Sequence, residues 1–270
     1  MKLFYGCIIA LSMYSRIPLP RVEWKRGRME HVLCFFPLVG IVEGLAFGGW
    51  FWLGCRLGFS ELMTALWGTA IPILITGGIH MDGFLDTMDA IHSYGDKEKR
   101  LAIMKDPHTG AFAVIAAAVY FCLYAGAAAG YVQLVKQADG KMAVLWPVFY
   151  LAMERAFSGL GVLMLPKAKR EGLAASFSQA AREQTDKKIL VLWILALEAG
   201  VVLAECLEGR ISGLGLLAVV QLAVFLWYGR TAEREFGGIT GDLAGWFLQV
   251  CELASLAAFL VLGPMDILRL

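Results

Sequence analysis

The sequence predicts an all-α fold, a polytopic helical bundle in a membrane, and two observations support that prediction. Of the 270 residues, 59% are hydrophobic and only 17% are charged, with a mean hydropathy of +0.65. Soluble domains carry about a quarter charged residues. Apolar stretches of the length that crosses a bilayer recur along the whole chain. We therefore expect residues 1–270 to form a single integral membrane domain in contact with lipid.

Seven apolar stretches are candidates for transmembrane helices, and a shorter one precedes them. The seven lie at about residues 32–54, 61–79, 111–135, 142–165, 189–207, 211–229 and 243–263. The apolar run Leu3–Tyr14 is too short to span and is followed by Pro18 and Pro20, which cannot continue a helix. It predicts a short interfacial or re-entrant helix.

Lys and Arg residues are unevenly divided between the segments that connect these stretches. Counted from the N-terminus, the odd-numbered segments contain 18 and the even-numbered segments 5. Because positive charge accumulates on the cytoplasmic side, this asymmetry predicts a cytoplasmic N-terminus and an external C-terminus. The protein is then a multi-pass protein of the plasma or inner membrane. No Lys/Arg run is dense enough to predict nucleic-acid binding.

Three aspartates follow the Gly77-Gly78 pair directly after the second apolar stretch. Asp82, Asp86 and Asp89 are spaced i, i+4 and i+7, which places them on one face of a helix. Three carboxylates crowded at a membrane boundary repel each other, and a divalent cation relieves that repulsion. All-oxygen ligation favours Mg²⁺, which in turn binds phosphate or diphosphate. His80 is a further candidate, as a ligand or as a general base.

Each polar residue also has a simpler interpretation. Asp82 is a possible helix N-cap, with Asp86 and Asp89 as solvated charges. Lys105 fits either a phosphate contact or an ordinary interfacial cation, and Asp106 before Pro107 fits a helix cap. Charged residues inside the apolar stretches are costly to bury, so we expect them to face the bundle interior, with a local ion pair between two of them: Glu43, Glu154, Arg155 and Glu252.

The other polar motifs all fall in segments predicted to be cytoplasmic. They are Ser15–Pro20, Ile103–Phe112, Leu165–Leu173 and Arg234–Asp242. A transporter would place its essential polar groups near the middle of the membrane, on broken helices. This distribution therefore favours an enzyme that takes its substrates from the cytoplasm.

Together these motifs resemble the cobalamin synthase family over nearly the whole chain. The family pattern Gly-Gly-Leu-His-Leu-Asp-Gly-Leu-Ala-Asp-Thr-Ala-Asp-Gly resembles Gly77–Ala90, with Ala90 at the last glycine. Further resemblances, in the family's order, are Arg16–Pro20, Phe36–Gly40, Ile103–Ala113, Pro166–Leu173 (shifted by one basic residue) and Gly237–Asp242. In Ile103–Ala113, Pro107, His108 and Thr109 replace Ser, Arg and Ile.

The resemblance implies a catalytic membrane domain that joins adenosylcobinamide-GDP to α-ribazole, or to its 5′-phosphate, and releases GMP with the help of Mg²⁺. It implies metal binding by Asp82, Asp86 and Asp89. The catalytic candidates are these three with His80, Lys105 and Asp106. The substrate-binding candidates are Arg16, Lys105, His108, Gly110, Arg170, Gly238 and Asp242. Asp106 and Asp242 are also second-rank candidates for metal binding or for base catalysis.

Two other functions remain as alternatives. A CDP-alcohol phosphotransferase-like lipid enzyme also uses several aspartates on membrane helices, but its Ala-Arg pair after the second aspartate is absent here. A metal or cobamide transporter would instead have paired polar residues at mid-span. The sequence is compatible with an oligomer in each case.

Overall fold

The computed structural model describes residues 2–20, 22–23, 26–137, 141–169, 172–207, 210–262 and 266–269. Within these ranges the fold is almost entirely helical, as predicted. The α-helices are α1 (Lys2–Tyr14), α2 (Phe36–Arg56), α3 (Glu61–Thr76), α4 (Ile79–His92), α5 (Lys97–Ile103), α6 (Ala111–Gln137), α7 (Lys141–Met164), α8 (Leu173–Ala180), α9 (Glu183–Leu207), α10 (Leu217–Thr231) and α11 (Gly241–Leu262).

Two short strands, which the sequence did not predict, join the ends of two helices. Strand β1 (Arg210–Ser212) follows α9, and strand β2 (Asp266–Arg269) follows α11. They pair antiparallel, with Ile211 opposite Leu268. The ends of α9 and α11 therefore lie at the same end of the bundle.

Helices α2 and α7 form the closest helix pair, and three glycines one turn apart on α2 make this approach possible. A Cβ atom at Gly44 would lie 2.5 Å from the Cα of Val148, and one at Gly40 would lie 2.6 Å from the N of Ala152. Gly48 meets the backbone of Val144 in the same way. Small residues at such spacing let membrane helices pack backbone against backbone. The order of the contacts makes the pair antiparallel.

Four charged side chains lie inside the bundle, as predicted. Arg155 donates from Nη2 to Glu43 Oε2 at 2.6 Å and from Nη1 to Glu154 Oε1 at 2.9 Å. Tyr124 donates from its hydroxyl to Glu252 Oε1 at 2.5 Å. The Arg155 guanidinium thus ties α7 to α2, and Tyr124 ties α6 to α11. Pairing of this kind is what makes buried charge tolerable in a membrane.

A second polar cluster holds the start of α9 against the turn that precedes α2. His31 Nδ1 is hydrogen-bonded to Asp186 Oδ1, while Asp186 Oδ2 accepts from the N–H of Arg182 at 3.1 Å. With Cys34, these form the one group of three potential metal ligands within 4.8 Å in the part of the chain that is described. Both carboxylate oxygens of Asp186 already have partners, so the cluster works as a helix cap and ion pair.

Four described helical segments are long and apolar enough to cross a membrane: Val32–Arg56, Ala111–Lys136, Glu183–Leu207 and Gly241–Leu262. A fifth results if α3 and α4, which meet at a 98° bend, count as one span. Each of the seven predicted stretches corresponds to a helix, yet α10 has only 15 residues and α7 carries two buried charges. The structure is that of a helical membrane protein, and the count of seven stays a prediction.

Candidate active site

The bend between α3 and α4 places the aspartate helix at one end of the bundle. Gly77 and Gly78 both have left-handed backbones, with φ of 69° and 80°, which glycine adopts without strain. The N–H of Arg16 donates to the carbonyl of Ile75 at 2.7 Å, and the Arg16 side chain lies against Gly77. Arg16 is therefore part of the bend.

Helix α4 packs tightly on the start of α11, and this contact adds a fourth carboxylate. A Cβ atom at Gly83 would lie 2.6 Å from the carbonyl O of Asp242, and one at Gly245 would lie 2.9 Å from the carbonyl O of His80. Thr240 Oγ1 accepts from the N–H of Leu243 at 3.2 Å and so caps α11. The close approach sets Asp242 beside the α4 aspartates.

The electrostatics of Asp86 show that four carboxylates share this region. Burial of its side chain, together with the charges of Asp82, Asp242 and Asp89, raises the pKa of Asp86 to about 6. Four carboxylates that repel each other offer only oxygen atoms as ligands, and Mg²⁺ prefers such ligands. The carboxylate oxygens do not gather in threes within 4.8 Å among the described residues. Ligation of one ion by several of them therefore requires side-chain rotation.

The chain turns after α4, between Ser93 and Asp96. Helix α5 begins after Asp96, whose Oδ1 accepts from the N–H of Lys99 at 2.9 Å. An ion pair between Arg100 and Glu235 fixes α5 against the segment after α10. Gly110, at the end of the returning loop, lies so close to Asp89 that a Cβ atom would overlap its carboxylate.

Lys169 brings positive charge to Asp242, and Lys105 in turn interacts with Lys169. Partial burial lowers the pKa of the Lys169 ammonium, the positive charge of Lys105 lowers it further, and Asp242 opposes both. Lys169 therefore lies within electrostatic reach of Lys105 and Asp242. Asp242 therefore interacts electrostatically with a carboxylate, that of Asp86, and with an ammonium group, that of Lys169.

Backbone pairing holds Lys169 in place. The N–H of Ile239 donates to the carbonyl of Pro166 at 2.7 Å, and that of Ala168 donates to the carbonyl of Ile239 at 3.0 Å. Gly238 makes this possible, because a Cβ atom there would lie 2.6 Å from the N of Ala168. Gly238 thus packs against the protein backbone, and its substrate-binding role stays a prediction.

Two of the remaining predicted residues, Asp106 and His108, lie on an exposed loop. Asp106 Oδ1 accepts from the N–H of His108 at 2.9 Å and interacts with His108 Nδ1 at 2.7 Å, on an exposed loop. These hydrogen bonds lower the pKa of Asp106. The pair forms a local turn on this loop. Arg170 lies outside the described residues.

Lys169 is the residue that our reading of the sequence missed. It belongs to the Pro166–Leu173 motif, and the shifted alignment of that motif favoured its neighbour Arg170. The sequence alone gives no reason to prefer one of two adjacent basic residues. The interaction of Lys169 with Asp242 appears only in the folded structure.

The bundle and this site define a class: a helical membrane protein whose carboxylates and lysines meet at one end. The chain matches the model of the cobalamin-5-phosphate synthase family over residues 6–260. It belongs to that family and is a transferase of cobalamin synthesis. The resemblance found in the sequence is therefore confirmed.

Individual relatives agree with the family match. The chain is 42% identical to the adenosylcobinamide-GDP ribazoletransferase of Lachnoclostridium phytofermentans, over 97% of this chain and 96% of the relative. It is 32% identical to the enzyme of that name from Clostridium botulinum strain Alaska E43 (94% and 96%). It is 33% identical to that of Pseudomonas entomophila (92% and 95%). No solved structure matches the chain.

Proposed function

We propose that this chain joins adenosylcobinamide-GDP to α-ribazole, or to α-ribazole 5′-phosphate, and releases GMP. The relatives' names supply the substrates. The observation that supports the reaction at this site is that Asp242 interacts electrostatically both with the α4 aspartates and with Lys169. A diphosphate needs both kinds of group, since a bound cation and ammonium groups each neutralise part of its charge.

In the proposed reaction, an acceptor hydroxyl attacks the phosphorus that carries the cobinamide. The bond from that phosphorus to the bridging oxygen breaks, and GMP leaves with this oxygen. The hydroxyl proton passes to a carboxylate, and we assign this role to Asp242, which lies across from the α4 aspartates. Lys105 and Lys169 bind and orient the diphosphate as point charges on flexible stems.

We propose Asp82, Asp86 and Asp89 as the ligands of a Mg²⁺ ion. When bound there, Mg²⁺ supplies neutralisation of the diphosphate and of the leaving GMP. The donor set fits, since the three side chains share one face of α4 and the pKa of Asp86 records their mutual repulsion. Gly110 lies directly against Asp89, and its lack of a side chain leaves room for that carboxylate.

Contacts at the two ends of the bundle support seven spans. At the site end, Glu30 pairs with Arg182 at 3.2 Å, and Lys167 forms a backbone bridge with Ile239. At the opposite end, Glu61 pairs with Lys136 at 3.1 Å. With the β1–β2 pair, also opposite, these contacts make α2, α3, α6, α7, α9, α10 and α11 alternate in direction.

The length of α10 is compatible with this arrangement. Fifteen residues of α-helix extend about 22 Å, short of a hydrocarbon core of about 30 Å. The apolar 3₁₀ segment Gly213–Leu216 runs directly into α10 and adds about 8 Å at the rise of a 3₁₀-helix. The Lys/Arg asymmetry supports a cytoplasmic location for the site end.

The test is GMP release from adenosylcobinamide-GDP by the purified protein in detergent. We expect release that requires both α-ribazole (or its 5′-phosphate) and Mg²⁺. Asp82→Asn, Asp86→Asn and Asp89→Asn should each remove most of it while the protein stays folded. Acceptor-independent release, or near wild-type turnover of any two variants at saturating Mg²⁺, would contradict the proposal. The buried Glu43–Arg155 pair is a mid-span feature that the transporter alternative expects, but the family match favours the transferase.

A further inference from the structure

A cavity of about 310 Å³ extends from the carboxylates into the bundle. Its walls come from α1, α2, α4, α7, α8 and α11 and are mainly apolar. Three aromatic side chains, Tyr14, Phe36 and Phe177, line it, and Asp82 and Asp242 belong to the same lining. A pocket with apolar and aromatic walls and few polar groups is typical of sites for small organic ligands.

Among the described residues that line this cavity, only His80 has a buried side-chain nitrogen or oxygen without a hydrogen-bond partner. The residue is 4% exposed, and its Nε2 has no hydrogen-bond partner in the described part of the chain. The imidazole lies beside the rings of Tyr14 and Phe36, with centroids 6.0 Å and 5.9 Å away. A buried polar atom without a partner is costly, so its presence in an apolar cavity indicates that a ligand supplies the partner.

We propose that this cavity binds the aromatic base of the acceptor nucleoside, with His80 Nε2 donating to a ring nitrogen of that base. The inference rests on the proposed function, whose acceptor is a nucleoside. Aromatic walls suit a flat heterocycle, which stacks on or packs edge-on against them. With Asp82 and Asp242 in the same lining, a base held inside keeps its sugar hydroxyls near the reacting diphosphate.

The other parts of the substrates fit this cavity less well. A corrin macrocycle is far too large for 310 Å³. Guanine carries several donors and acceptors along its edges, whereas the lining away from the two aspartates offers only the polar side chains of Tyr14, His80 and Ser158 among the described residues. A benzimidazole nucleoside has a single unsubstituted ring nitrogen, which one histidine satisfies.

The decisive measurement is the affinity for α-ribazole without Mg²⁺ and without adenosylcobinamide-GDP, followed by fluorescence titration in detergent. His80→Phe keeps a ring but removes Nε2, and we expect the Kd for α-ribazole to rise about tenfold or more. In turnover, the KM for the acceptor should rise similarly, while the KM for adenosylcobinamide-GDP stays within about twofold. The matched control is His92→Phe at the exposed end of the same helix, which should change neither value.

A second variant tests the cavity independently of His80. Ala174 on α8 lines the cavity and is buried. Ala174→Leu narrows it, so the KM for the 5,6-dimethylbenzimidazole nucleoside should rise more than that for the unsubstituted benzimidazole nucleoside. If His80→Phe does not fold, this change in the relative KM values of the two nucleosides tests whether the cavity binds the base.

Three results would overturn the inference. The first is no binding of α-ribazole by the wild type, or an unchanged Kd in both variants. The second is a raised KM for adenosylcobinamide-GDP alone, which would assign the cavity to the other substrate. The third is a fall in kcat with unchanged Kd, which would make His80 a proton-transfer residue. By contrast, binding of α-ribazole without any GMP release would refute the proposed function and leave the cavity assignment standing.

Discussion

Asp86 lies half-buried on α4, between Asp82 and Asp89 and opposite Asp242. Burial and these three charges raise its pKa from 3.8 to about 6. Because the folded-state pKa exceeds the ordinary one, the metal-free protein loses stability as pH rises through this interval. A cation bound by the deprotonated carboxylate reverses that loss, so metal binding and protonation compete at this residue.

This competition predicts a pH dependence. At limiting Mg²⁺, kcat/KM should fall as pH drops through about 6, because Asp86 must lose its proton to bind the metal. Raising Mg²⁺ should shift the midpoint to lower pH. The profile is measured between pH 5 and pH 8 (roughly the span around the shifted pKa), with the residual activity of Asp86→Asn as control. A midpoint that does not respond to Mg²⁺, or that persists in Asp86→Asn, would show that another group titrates.

Lys105 and Lys169 give a second prediction. If they bind the diphosphate, Lys105→Met and Lys169→Met should each cost about 2–4 kcal/mol in kcat/KM for adenosylcobinamide-GDP, as for one preorganised electrostatic donor. Membrane insertion should hardly change. Lys136→Met, at the opposite end of the bundle and paired with Glu61, is the control and should leave kcat/KM unaltered. A loss below about threefold for Lys105→Met would identify it as an interfacial anchor.

The contact between α4 and α11 builds the site. Both helices carry a glycine where they touch, Gly83 and Gly245, and each faces the backbone of the other helix. This close approach sets Asp242 beside the α4 aspartates, although the two segments are about 160 positions apart in the sequence.

Gly83→Ala tests that contact. The new Cβ atom would meet the Asp242 carbonyl at 2.6 Å, so α4 and α11 must separate, and we expect kcat/KM to fall about tenfold or more. Gly126→Ala on α6 is the control, since its Cβ atom would meet nothing within 4 Å. That change should be neutral, or stabilising by about 0.5–1 kcal/mol. Thermal unfolding in detergent separates activity from stability, and full activity of Gly83→Ala would contradict this role of the contact.

The whole molecule has a site end and an opposite end, and this predicts its topology. Single cysteines introduced at Glu98 and Glu183 should react with an impermeant reagent only from the cytoplasmic side. One introduced at Arg56, at the far end of α2, should react from outside. The background lacks the six native cysteines. If the cysteines at positions 98 and 56 react from the same side, both the seven-span arrangement and the cytoplasmic location of the site are wrong.

Local features of the sequence determined the helices and the shared face of the aspartates. Apolar runs set where α2, α3, α6, α7, α9, α10 and α11 form, because length and hydrophobicity are properties of a continuous segment. The i, i+4, i+7 spacing placed Asp82, Asp86 and Asp89 together, because helix geometry alone relates them. Family membership, too, was readable from motif order.

Only the tertiary structure decided which distant residues join that face. Asp242 and Lys169 reach it through the contacts of Gly83 and Gly238 with backbone far away in the chain. The same packing buries His80 beside a cavity and leaves Asp106 paired with His108 on an exposed loop. Such placements depend on how closely two backbones approach in space, and a single sequence contains no local signal for that distance.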